Sequence, residues 1–138
     1  MTLAELHAFL CQHRLAVVAT TVNGSPQAAV VGIAVADTLD IVFDTIGTSR
    51  KYQNLRADPR IAMVVGWDGE QTVQIEGTAD LPSGAALDAC KKIYFAAWPD
   101  GRERENWPNI AYVCVRPRWV RYSDFGRTPA RIEEMRLE

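Results

Sequence analysis

The sequence predicts a mainly β (α+β) fold, a six-stranded antiparallel β-barrel with a few short helices, on three observations. β-Branched, apolar stretches recur from Leu15 onward. Turn signals separate them at short intervals, and a helix enters between the third and fourth strands. Hairpins this tight leave no room for the crossovers that a parallel sheet requires, so a small antiparallel barrel is expected.

Each element follows from its residues. Thr2 with Glu5 forms a capping box, and Leu3, Leu6, Phe9 and Leu10 follow at helical spacing, predicting an amphipathic helix over residues 2–13. Leu15 to Thr21 and Gln27 to Ala34 read as strands joined by Asn23-Gly24-Ser25-Pro26, a hairpin signal. Asp37 and Asp40 bracket another turn. Leu39, Ile41 and Phe43 then alternate with Asp40, Val42 and Asp44, a strand with one face in the core. Thr48 to Ala57 fits a helix stopped by Asp58-Pro59. Ile61 to Trp67 and Thr72 to Leu81 are two more strands around Asp68-Gly69. Ser83 caps a helix with Leu87, Cys90, Ile93, Tyr94 and Ala97 on one face, ended by Pro99. A polar loop follows over Asp100 to Asn109. Ile110 to Tyr122 is the last long strand, and Pro117 within it requires an edge position or a bulge. Thr128-Pro129 is expected to start a helical tail through Met135.

The 138 residues, 48% hydrophobic and 23% charged, form one expected domain over residues 1–138. A chain of this length buries about 68% of its unfolded surface, so it needs no disulfide or metal staple. A net charge of −2 gives no electrostatic footprint for nucleic acid, and no block of like charges suggests a membrane patch. Cys11, Cys90 and Cys114 are odd in number and far apart, which points to a reducing compartment. The first residues lack the features of a leader, and no apolar run approaches the roughly 20 residues that span a bilayer. A cytoplasmic location is expected. His7 and His13 lie on nearly opposite helix faces without a third ligand at metal spacing, so no metal site is assigned. Nucleophile-elbow, Walker and dinucleotide motifs are absent.

The informative segment is Asp44-Thr45-Ile46-Gly47-Thr48-Ser49-Arg50-Lys51-Tyr52, which leaves a strand and opens a helix. Hydroxyls at Thr45, Thr48 and Ser49, the free N–H groups of a first helical turn and two adjacent cations are what a phosphate dianion requires. An ordinary capped helix with Arg50 and Lys51 solvated satisfies the same spacing equally well.

Phe43-Asp44-Thr45, Ser49-Arg50-Lys51, Leu55, Asp58-Pro59-Arg60-Ile61 and Ile75-Glu76-Gly77 together resemble the pyridoxamine 5′-phosphate oxidase-like family of FMN-binding split β-barrels. The resemblance runs from about Leu15 to Tyr122. It implies a split barrel and a homodimer with FMN in the subunit interface. It further implies that Arg50 and Lys51 bind the flavin phosphate, with Ser49 and Thr45 as hydroxyl partners. Ala29, Val30, Val31 and Gly32 match the strand along the isoalloxazine ring, and Thr72 matches a polar position reaching the flavin from the facing side. The small residues Ala28, Ala29 and Gly32 suit a backbone that approaches a flat ligand.

Two departures narrow the expected activity. The oxidase has a basic residue where this chain has Ala29, and an arginine-bearing C-terminal segment where this chain has a short dissimilar tail. A smaller related flavoprotein, an FMN-dependent oxidoreductase of a small-molecule substrate with no assigned catalytic side chain, is therefore expected instead of the vitamin oxidase. The competing readings are a reductase using a deazaflavin coenzyme and a non-catalytic flavin- or haem-binding protein. Trp98 and Trp107 bracket a loop that is a candidate lid for the partner's flavin. Arg116, Arg118 and Arg121 are expected to pair with the acidic tail, with an anionic-substrate role as the alternative.

Overall fold

The structure is a computed structural model that describes residues 1–137. In chain order the elements are α1 (Leu3–Gln12), β1 (Leu15–Val22), β2 (Ser25–Gly32), β3 (Ala34–Val35), β4 (Ile41–Ile46), α2 (Arg50–Ala57), β5 (Arg60–Val65), β6 (Gln71–Asp80), α3 (Gly84–Ala97), α4 (Gly101–Arg104), β7 (Ile110–Asp124) and β8 (Arg131–Arg136). All strands join one antiparallel sheet in the order β2-β1-β5-β6-β7-β4-β3, with β8 added along the second half of β7. The sheet curls until β2 lies beside β4 without pairing to it, which leaves the barrel split at that seam.

The local signals at the start of the chain act as expected. Thr2 and Glu5 close both halves of the capping box, and Leu6, Phe9 and Leu10 enter the core while Leu3 stays exposed. Asn23 and Gly24 adopt φ values of 50° and 80°, the left-handed pair that a two-residue hairpin needs, with Val22 opposite Ser25.

Strand number is the first correction, because eight strands form where six are expected. β3 is a two-residue piece separated from β2 after Gly32. β8 replaces the expected helical tail, because the exposed side of β7 offers a ladder over Trp119 to Asp124 that Arg131 to Arg136 completes. Backbone pairing there outweighs the helix preference of Glu, Met and Arg. The ionic contacts Arg121–Glu134, at 3.0 Å, and the N-terminal amine of Met1 with Glu133 hold β8 in place.

Burial of β4 is the second correction. Ile41 and Phe43 face the main core, but Val42 is also buried, in a second cluster with Cys90, Tyr94, Phe95 and Tyr112 beneath α3. Leu39 belongs to the preceding turn, not to the strand. It has φ 74° and a buried side chain, so core packing holds a left-handed conformation that costs a β-carbon-bearing residue about 1–2 kcal/mol. Ser83 occupies the N-cap of α3 without a capping hydrogen bond, and the expected polar loop contains the short helix α4.

Pro117 resolves to a bulge. β6 and β7 shift register between Glu76 and Gly77, which pair with Trp119 and Pro117, leaving Arg118 as the extra residue. Among the described residues no helix is long and apolar enough to cross a membrane.

Candidate functional site

The end of β4, the turn after it and the first turn of α2 bring the predicted phosphate residues together. The turn is pinned by two bonds, from Gly47 N–H to the Asn109 carbonyl at 2.6 Å and from Gln53 Nε2 to the Gly47 carbonyl at 2.6 Å. Ser49 is the N-cap of α2 and accepts a hydrogen bond from the Tyr52 N–H at 3.3 Å. Its hydroxyl lies 3.0 Å from that of Thr45, and Lys51 Nζ donates to Thr45 Oγ1 at 3.4 Å. Arg50 projects across the seam to β2, where its Nε donates to Gln27 Oε1 at 3.0 Å.

No acidic residue occupies the first turn of α2. Among the described residues, neither Arg50 nor Lys51 belongs to an ion pair, their partners being the neutral oxygens of Gln27 and Thr45, whereas Arg104, Arg116 and Arg121 each pair with a carboxylate. Two cations outside any ion pair thus line a cleft of about 270 Å³ together with Val18, Thr20, Gln27, Ala28 and Ala29, and the Thr45 and Ser49 hydroxyls stand behind Lys51 at the helix N-terminus. The donor set fits a phosphate monoester dianion.

β2 forms one wall of this cleft and is an edge strand, paired only with β1. With Val22 and Ser25 closing the hairpin, ladder alternation turns Gln27, Ala29 and Val31 toward β1 and leaves the N–H groups of Ala28 and Val30 on the open edge. Val31 is buried, Ala29 and Gly32 are half-buried and Val30 is exposed. Thr72 does not join the group within one chain: it lies on β6, three strands from β2 in sheet order, opposite Ser123. Gln27, Asn54 and Thr20 were not singled out by the sequence, and no motif marks them.

Trp98 lies against its own chain. A Cβ at Gly32 would come within 2.7 Å of the indole, whose Nε1 donates to the Ile33 carbonyl at 2.9 Å. The Arg14 guanidinium sits 3.9 Å above the ring centre. Trp107 is exposed. Of the three candidate arginines, Arg121 pairs with Glu134 in the tail and Arg116 with Asp40 at 4.0 Å.

The other polar cluster is structural. Asp44, under α3, accepts hydrogen bonds from the Tyr94 hydroxyl at 3.1 Å and from Arg104 Nε at 3.0 Å, and Arg104 also donates to the Tyr94 oxygen at 3.1 Å. Burial, then the Asp44 carboxylate, raises the Tyr94 phenol above its ordinary value of 10.0. The raised value favours the fold below pH 10, and that contribution is lost as pH rises further. Tyr94→Phe is expected to destabilise the protein by about 1–2 kcal/mol at neutral pH and to flatten the alkaline limb of a urea-denaturation series. The thiols of Cys90 and Cys114 are both raised by burial, the latter to about 12, so neither is an effective nucleophile at neutral pH. Among the described residues no group of His, Cys, Asp and Glu has metal-holding geometry.

The family profile described as Pyridoxamine 5′-phosphate oxidase matches residues 2–124. A pyridoxine/pyridoxamine 5′-phosphate oxidase from Rubrobacter xylanophilus is 36% identical over 104 residues, covering 74% of this chain and 46% of that protein. The chain thus spans less than half the length of the curated relatives it matches. Among solved structures, a haem-binding protein from Mycobacterium smegmatis superposes with a TM-score of 0.81 at 20% identity, over 99% of this chain and 58% of that one. A pyridoxamine 5′-phosphate oxidase-related, FMN-binding protein from Nostoc punctiforme gives 0.72 at 14% identity over 100% of both chains. The fold of these neighbours is the one described above, and the profile match over most of the chain places this protein in the pyridoxamine 5′-phosphate oxidase family.

Proposed function

We propose that the protein binds FMN at the split between β2 and β4 and acts as a cytoplasmic, homodimeric flavin-dependent oxidoreductase. The observation that carries this reading is the pair of adjacent cations, Arg50 and Lys51, left without a carboxylate partner among the described residues beside the Thr45 and Ser49 hydroxyls. Family membership and the FMN-binding neighbour from Nostoc punctiforme support it.

In this proposal Arg50, Lys51, Ser49 and Thr45 hold the phosphate, while Ala29, Val30, Val31 and Gly32 present backbone along one edge of the ring. Bound flavin supplies the redox chemistry. The chain supplies position and excludes water from one face. Thr72 comes from the partner subunit, since its own β6 is remote from β2. Exposed apolar side chains occupy both regions that the dimer would bring together, Val30 on β2 and Trp67 and Phe125 near the Thr72 end of β6.

Titration of flavin-free protein with FMN and riboflavin, followed by fluorescence, tests the site. Tighter binding of FMN is expected, together with a dimeric mass in solution. Equal affinity for the two ligands removes the phosphate site, and a monomer that retains flavin removes the interface. The haem reading is favoured by the Mycobacterium smegmatis neighbour, but His7 and His13 lie on or just after α1, away from the Arg50–Lys51 cleft. A Soret band on adding haem supports that reading, and selective retention of a deazaflavin coenzyme supports a reductase of that class.

A further inference from the structure

We propose that Thr20, Asn54 and Gln27 form a positioning relay that sets the direction from which Arg50 meets a phosphate ester. The proposal rests on the FMN reading above and assigns the relay residues a role within that site. The first link is buried: Thr20 on β1 is 2% exposed and Asn54 on α2 is 6% exposed. Asn54 Nδ2 donates to Thr20 Oγ1 at 3.0 Å and to Gln27 Oε1 at 2.9 Å. Arg50 Nε donates to the same Gln27 oxygen at 3.0 Å.

Two donors on one amide oxygen fix which way Gln27 points. A flipped amide would set its own N–H groups against both Asn54 and Arg50, leaving neither bond made. The oxygen therefore anchors Arg50 through Nε, and the terminal nitrogens of the guanidinium, which make no other hydrogen bond among the described residues, remain for a bidentate contact with an anion. Lys51 needs no such brace, because Thr45 holds its ammonium directly. The relay also joins three elements. β1 supplies Thr20, β2 supplies Gln27 from the ring-lining strand, and α2 supplies Asn54 and Arg50. Gln27 and Thr20 line the same cleft as the two cations.

The relay residues touch the guanidinium and not the reacting centre, so they act as positioning residues. An ordered arginine binds an ester better than a mobile one because less side-chain freedom is lost on binding.

The test compares FMN with riboflavin, which has the same ring and no phosphate. Gln27→Met keeps the length of the side chain and removes the acceptor. It is expected to weaken FMN binding about tenfold, the scale of one hydrogen bond, and to leave riboflavin affinity unchanged, while the buried Asn54 N–H that loses its acceptor lowers the thermal midpoint of the flavin-free protein. Combined with Arg50→Ala, the same substitution is expected to add no further loss. Thr20→Val, of the same shape, removes the buried anchor and is expected to give a smaller loss in the same direction, again confined to FMN. Equal losses for FMN and riboflavin, an unchanged FMN affinity, or full additivity with Arg50→Ala each overturn the relay while leaving the phosphate site intact. A wild-type protein that does not distinguish the two flavins overturns the site, and the relay with it.

Discussion

Replacing Arg50 and Lys51 together by alanine is expected to weaken FMN binding by about a hundred- to a thousandfold. A hydrogen bond to a charged group contributes about 1.5–3 kcal/mol, or roughly ten- to a hundredfold in affinity. The two side chains share one ligand, so their losses are not independent and the double loss falls short of the simple product. Arg50 is exposed and Lys51 half-buried, and neither supports the core, so the urea midpoint of the flavin-free protein is expected to stay unchanged. Riboflavin affinity serves as the internal control. A double variant that retains FMN as well as the wild type removes the assignment of this corner. The salt dependence is a second check: raising the ionic strength is expected to weaken FMN binding in the wild type and to have little effect in the double variant.

The second large effect is on stability. Gly77→Ala is expected to destabilise the protein by about 3 kcal/mol, the upper end of ordinary overpacking. A Cβ at this position would sit 2.5 Å from the Arg116 carbonyl oxygen and 3.1 Å from its carbon. Both atoms belong to the backbone of β7, so no side-chain rotation relieves the contact. The strands would have to separate at the bulge where Gly77 faces Pro117. Gly69→Ala is the matched control, because nothing lies within 4 Å of its added carbon, and its effect is expected within about 0.5 kcal/mol. Equal urea midpoints for the two variants would show that the bulge has slack.

The same contact explains why part of the motif was legible. Ile75-Glu76-Gly77 stood out in the sequence, and the structure gives its last residue a steric role in the sheet, separate from any ligand. The Asn23-Gly24 turn and the Thr2–Glu5 box were readable because each is complete within a few residues. β8 was not, since Arg131 to Arg136 carries helix-favouring residues and takes its conformation from a strand that ends seven residues earlier. Val42 and Asp44 looked like an outer face because α3, which covers them, lies forty residues downstream. The cation pair of the candidate site is contiguous and was visible. Gln27 and Asn54 were not: amides on unrelated segments carry no local pattern, and nothing in the residues around Asn54 marks it as buried.

The open side of β2 has a consequence for how the backbone is guarded from solvent. β7 is laddered on both flanks for most of its length, by β6 on one and by β4 and then β8 on the other. Its amide protons are released only by large openings of the sheet. On β2 every second amide lies at a rim with no strand beyond it. Hydrogen exchange along the chain is therefore uneven, slow at its last long strand and fast at the second, until a molecule settled against that rim closes the difference.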